Sequence, residues 1–127
     1  MVNVGEFTEK IKSIVSQEYE IAFLGGRERF DDIVSKLSDS QSQDIYEWVQ
    51  KIVDKSIVPL SKASKKAYKA WEIKDLLSFR KELTVDNQVY RILFVKVKNA
   101  CYIEFHLGDH KYYDRLRKQL DLTKKNY

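Results

Sequence analysis

The stretch VYRILFVKVKNACYIEFHL, residues 89–107, decides the fold. VYRILFVKV and ACYIEFHL are two runs of β-branched and aromatic residues, and they meet at Lys98 and Asn99. Parallel strands need a crossover of a dozen or more residues, so a join this short requires an antiparallel hairpin. Gly108 and Asp109 end the second strand, and DHKYYDRLRKQL reads as a final helix with Tyr112 or Tyr113, Leu116 and Leu120 turned inward. The remaining LTKKNY is expected to fray.

Upstream of the hairpin, AWEIK alternates Trp71 and Ile73 with Glu72 and Lys74, the pattern of a half-buried strand. Residues 75–88 between them fit either a short helix or an extended excursion. SKASKKAYK, residues 61–69, reads as an exposed basic connection. Before it, Ile45, Trp48, Val49, Ile52 and Val53 recur at helical spacing, the strongest such pattern in the chain, and should pack against a sheet. Ser40 with Gln43 three positions on is a capping-box pattern at the start of that helix. RERFDDIVSKL places Phe30, Ile33, Val34 and Leu37 on one helical face, and YEIAFLGG is a strand stopped by Gly25 and Gly26. Phe7, Ile11, Ile14 and Val15 mark a first helix over residues 6–18. The expected class is α+β: two helices packed on one face of a twisted, mostly antiparallel sheet of about four strands, with an extra helix at each end. One domain spans 1–127, with 1–18 a helical extension, 19–120 the core and 121–127 a tail.

Composition narrows the function. The net charge of +4 hides an asymmetry: residues 1–50 carry 5 Lys/Arg against 10 Asp/Glu, residues 51–127 carry 18 against 9. A net of −5 in one part and +9 in the other suits a protein that turns one face to a polyanion, although lysines also simply solvate a surface. No apolar run approaches a membrane span, and Glu6, Glu9 and Lys10 break any signal-peptide pattern near the start. The single cysteine, Cys101, can form no internal disulfide, and a reducing cytoplasm is the expected compartment. There is no phosphate-cradling glycine loop, no Cys/His metal spacing and no nucleophile elbow. His106 and His110 are four apart, but a strand end lies between them, so they are not a helical zinc pair; no metal or cofactor is expected.

What stands out is polar chemistry on strands. Glu72 lies on the polar side of its strand, Arg91 and His106 interrupt theirs, and directly opposite residues on antiparallel strands lie about 5 Å apart. Arginine, histidine and a carboxylate on one sheet face could hold an RNA phosphodiester. The histidine or glutamate would take the 2′-hydroxyl proton, and the arginine would meet the charge of the phosphorane. The plain alternatives are that Arg91 pairs with Glu72 or Glu104 across the sheet, that His106 is a satisfied core histidine, that His110 sits in an exposed turn, and that the Tyr112–Tyr113 pair is core and rim.

Over roughly residues 19–120, the order AWEIK, YRILF, YIEFHL and a basic, aromatic end resembles the RelE/ParE toxin superfamily, above all its RelE and phage-derived HigB-like branches. The resemblance implies the toxin of a type II toxin–antitoxin system, inhibiting translation by cleaving mRNA free or on the ribosome. It implies RNA and a small antitoxin protein as partners. Carried over by position, Glu72 matches the strand carboxylate used as base and Arg91 the arginine at the scissile phosphate. His106, His110 or Lys111 stands where a basic residue follows the last strand, and Tyr113 matches the late tyrosine. Lys62, Lys65, Lys66, Lys69 and Lys74, with Arg80 and Lys111, would form the phosphate-holding ramp. Residues 6–18 and the long 75–88 segment depart from the family pattern. A non-catalytic binder on the same fold, either a gyrase-directed inhibitor or a phage or mobile-element protein, is the competing expectation.

Overall fold

The computed structural model describes residues 2–16, 18–26, 29–57, 76–97 and 101–119. In chain order they form α1 (Val4–Val15), β1 (Glu20–Gly25), α2 (Phe30–Ser35), α3 (Asp39–Val53), β2 (Leu76–Val85), β3 (Gln88–Val97), β4 (Tyr102–Gly108) and α4 (His110–Gln119). The strands make one open sheet in the order β1-β4-β3-β2. β2, β3 and β4 run antiparallel, and β1 joins β4 in parallel, so the α+β class stands while the sheet is mixed.

The 75–88 segment is extended, and its strand accounts for the long β2–β3 ladder. Asp86 and Asn87 both adopt positive φ, 50° and 66°, between paired Val85 and Gln88. Two residues in that region form the tight turn whose twist matches flanking strands, and Asp and Asn tolerate it because their short polar side chains bond locally. A two-residue turn fixes the register of all ten pairs from Leu76↔Val97 to Val85↔Gln88. The AWEIK strand lies outside the described residues, as do the basic connection at 61–69 and Leu120. β3 and β4 pair antiparallel from Arg91↔Gly108 to Val97↔Tyr102, as their spacing requires.

α1, α2 and α3 cover one face of the sheet. Phe7 and Ile11 of α1, Phe30, Ile33 and Val34 of α2, and Ile45, Trp48, Val49 and Ile52 of α3 are buried with Phe79, Ile92, Phe94, Ile103, Phe105 and Leu107 of the strands. Ile14 is only half-buried and Val53 is exposed, because each lies at the margin of its stripe. Phe105 sits at the centre, with ring contacts to Phe7, Phe23, Phe30 and Phe94 at 5.6–6.3 Å, within the range where tilted aromatic pairs attract.

The cap of α3 falls two residues earlier than Ser40. The Ser38 hydroxyl accepts from Gln41 N–H at 3.1 Å, and the Gln41 side chain accepts from Ser38 N–H at 2.9 Å. Both Ser-x-x-Gln frames fit the motif, but starting at Ser38 adds half a turn of helix and lets Gln41 also donate to Thr84 O at 2.7 Å, tying α3 to the end of β2.

α4 does not join the other helices. It packs on the opposite face, where Tyr113 and Leu116 are buried against Leu93, Val95 and Val97. Among the described residues, no helix is long and apolar enough to cross a membrane.

Candidate functional site

Strand alternation assigns the side chains of the described strands to one face or the other. Phe94 and Phe105 point to the three-helix face, so Arg91, Leu93, Val95 and Val97 of β3 and Tyr102, Glu104 and His106 of β4 point to the α4 face. Glu82 of β2 pairs directly with Arg91 and shares that side. Gly108 stands opposite Arg91 on β4, and its missing side chain matters. A Cβ there would lie 2.5 Å from the Tyr112 ring, and one on Gly26 would lie 2.6 Å from it. The two glycines form the slot that seats Tyr112, the first aromatic residue of α4. Asp109, just before the helix, accepts the Tyr112 N–H at 2.9 Å as an N-cap.

Two polar clusters result. The first is covered by α4 and runs Tyr102, Glu104, His106, Tyr112. The Tyr102 hydroxyl donates to Glu104 Oε2 at 2.9 Å, His106 Nε2 meets Glu104 Oε1 at 2.9 Å, and His106 Nδ1 meets the Tyr112 hydroxyl at 2.6 Å. Burial, with the negative charge of Glu104 second, pushes the Tyr112 hydroxyl up to about 12. Burial and the bond to Glu104 push Tyr102 up to about 12 as well. Tyr112 therefore keeps its proton and donates it to Nδ1, which places the imidazole proton on Nε2, facing the carboxylate. A tyrosine, a histidine and a carboxylate in line have the layout of an activated nucleophile. The raised Tyr112 hydroxyl runs against that use, because a nucleophile must give its proton up easily.

The second cluster lies at the open rim where β2, β3 and the first turn of α4 meet. Arg91 Nε lies 3.3 Å from Glu82 Oε2, and the Arg91 guanidinium stands over the Tyr113 ring, 5.4 Å from its centre. One Arg91 terminal nitrogen is hydrogen-bonded to His110 Nδ1. His110 Nε2 lies 3.1 Å from Asp114 Oδ2, one helical turn on. A guanidinium can only donate, so His110 Nδ1 is the accepting nitrogen and Nε2 carries the proton toward Asp114. The result is an imidazole with a lone pair directed at an arginine and its other nitrogen held by a carboxylate. That is the arrangement of an oriented general base.

Arg91, His106, His110 and Tyr113 thus share one side of the sheet, but that side is not open. His106 is 5% exposed beneath α4, Tyr113 of α4 is 2% exposed against the sheet, and Arg91 is largely covered, while His110 is 65% exposed. An open face presenting all of them is corrected by the helix that the chain lays across it. His110 is the first residue of α4 rather than a turn residue, and Tyr113 is core. The partner expected for Arg91 was Glu72 or Glu104; the structure supplies Glu82. Arg80 and Lys111 are exposed, Arg80 in the same cross-strand row as Leu93 and His106. Glu72, Lys62, Lys65, Lys66, Lys69 and Lys74 lie outside the described residues. Among the described residues, no group of three His, Cys, Asp or Glu could hold a metal ion.

No family model, no curated protein and no solved structure matches the chain.

Sequence reasoning missed Glu82, Asp114 and the Tyr102–Glu104–His106–Tyr112 chain as a unit. The signals were present. The Asp86–Asn87 turn places Glu82 opposite Arg91, and His110 and Asp114 are four apart on a helix.

Proposed function

We propose that the protein is a toxin that arrests translation by cleaving mRNA at the Arg91–His110 rim, by attack of the RNA's own 2′-hydroxyl. The observation that carries this reading is the Arg91 guanidinium bonded to the accepting nitrogen of a histidine that Asp114 orients. A bound phosphodiester draws the guanidinium onto its oxygens and leaves His110 Nδ1 to take the 2′-hydroxyl proton. The 2′-oxygen then bonds to phosphorus, Arg91 meets the phosphorane charge, and the bond from phosphorus to the 5′-oxygen breaks. The products are a 2′,3′-cyclic phosphate and a 5′-hydroxyl, whose proton comes from the solvent at the rim. Arg80 and Lys111, with the lysines of residues 61–74, supply positive charge for the flanking phosphates. The net of +9 in residues 51–127 also suits a small antitoxin with an acidic or amphipathic segment as partner.

Expression in a bacterial host should stop growth and create new 5′ ends within coding regions, and Arg91→Ala and His110→Ala should each relieve the arrest. A harmless wild-type protein would remove the reading. The burial of His106 and Tyr113 favours one alternative, a non-catalytic binder on this fold such as a gyrase-directed inhibitor. That alternative predicts arrest with intact transcripts and DNA-damage signalling.

A further inference from the structure

The covered network is connected to the rim through a single helical turn. His110, Tyr112, Tyr113 and Asp114 all belong to the first turn and a half of α4. Tyr113 faces β3, where it is buried against Leu93, Val95 and Val97 and carries Arg91 on its ring. Tyr112 faces β4, in the slot between Gly26 and Gly108, with its hydroxyl on His106 Nδ1 at 2.6 Å. These two neighbouring anchors fix how α4 is rotated about its axis. The rotation in turn decides whether His110 and Asp114, which lie on one side of the helix, meet Arg91.

The anchor on β3 is apolar packing, which tolerates sliding. The anchor on β4 is directional: a hydroxyl on a ring nitrogen whose tautomer is set by Glu104, itself held by Tyr102. Leu116 and Arg117, one turn on, are also buried, and the Tyr112 hydroxyl bond ties the first turn of the helix to β4 in a defined direction. We infer that His106 is a positioning residue for the rim site, acting through Tyr112 to hold His110 and Asp114 in register with Arg91; this rests on the rim being where RNA is cleaved. His106 touches no substrate in this arrangement. Its burial is what lets it set geometry, because a bond shielded from water is not exchanged for one to solvent.

Tyr112→Phe is the sharpest test, since it removes the hydroxyl while leaving the ring in its slot. Turnover of RNA should fall about 10-fold with KM for RNA held within about 2-fold, the signature of an interaction that matters to geometry in the transition state and not to binding. The His110 ring resonances, followed by NMR on the free protein, should shift as Nδ1 loses its fixed contact with Arg91. His106→Gln can still donate to Glu104 and accept from Tyr112, so it should restore most of both signals, whereas His106→Leu should not. Wild-type turnover and unmoved His110 resonances in a folded Tyr112→Phe protein would overturn the inference. So would a change confined to thermal stability, which is all that a purely structural histidine would produce. If the wild type cleaves no RNA yet His110 still responds to Tyr112→Phe, the coupling stands and the cleavage reading falls.

Discussion

On one face of the sheet, Phe94 and Phe105 point into an aromatic cluster closed by three helices; on the other, the same two strands present Arg91, Glu104 and His106 beneath a single ten-residue helix. The first face is held by area. Its side chains are interchangeable in kind and specific only in shape, and removing one leaves a void. The second adds, to a smaller apolar cluster of Tyr113 and Leu116 on Leu93, Val95 and Val97, a few directional bonds whose loss leaves polar groups without partners in a dry setting. The comparison teaches that this molecule keeps its larger apolar core and its polar clusters on opposite sides of the same strands. The polar face can carry the Arg91–His110 rim because the apolar face has already fixed the backbone that displays it.

If that division is right, the largest stability effect should come from the apolar side. Phe105→Ala should cost about 3–5 kcal/mol in denaturant unfolding, because four neighbouring rings close around it. A cost near that of a surface substitution would break the comparison. His106→Leu fills the space but strips Glu104 and Tyr112 of a partner, and should cost about 1–3 kcal/mol by the same measurement.

The polar face should also betray itself at high pH, beside a contribution from Tyr46 on the three-helix face, which burial likewise pushes up. Tyr102 and Tyr112 are both pushed up to about 12, while an unfolded tyrosine ionises near its ordinary value of 10. Between those values the unfolded chain releases protons that the folded one retains. Their contribution is therefore complete below about pH 10 and is lost as pH rises toward about 12. Stability measured across that interval should fall, and Tyr112→Phe should flatten part of the fall. An unchanged slope in that variant would place the loss elsewhere.

The smallest stability effect should be at the rim. Arg91→Ala removes the ion pair to half-exposed Glu82, the bond to His110 and a ring contact, and should cost about 1 kcal/mol while lowering the proposed RNA cleavage by about 100-fold or more. Such a separation of stability from activity distinguishes the rim from both the core and the covered network.

The residues that follow a period were legible in the sequence. Phe30, Ile33, Val34 and Leu37, and the hairpin of β3 and β4, lie where spacing puts them. What spacing alone did not settle was direction. α4 has the same amphipathic pattern as α3, and nothing in a single helix states which face of a sheet it covers. The burial of His106 and Tyr113 follows from that choice. Ser38 and Ser40 begin overlapping capping motifs, and only the long-range bond from Gln41 to Thr84 O separates them. Glu82 was hidden by treating residues 75–88 as undecided, when Asp86–Asn87 is a turn signal that fixes its position opposite Arg91. Of the candidate residues, Arg91 and His106 lie on the α4 side of the sheet and Glu72 lies outside the described residues; the helix that divides that side into a covered part and a rim is a tertiary decision that spacing does not state.

The most direct test of the central claim is the chemistry of the ends produced when purified protein meets single-stranded RNA in the presence of a chelator. The account predicts fragments ending in 2′,3′-cyclic phosphate and beginning with 5′-hydroxyl, from the wild type but not from folded Arg91→Ala or His110→Ala. Fragments with the same ends and yield from His110→Ala, or intact RNA with the wild type, would contradict it.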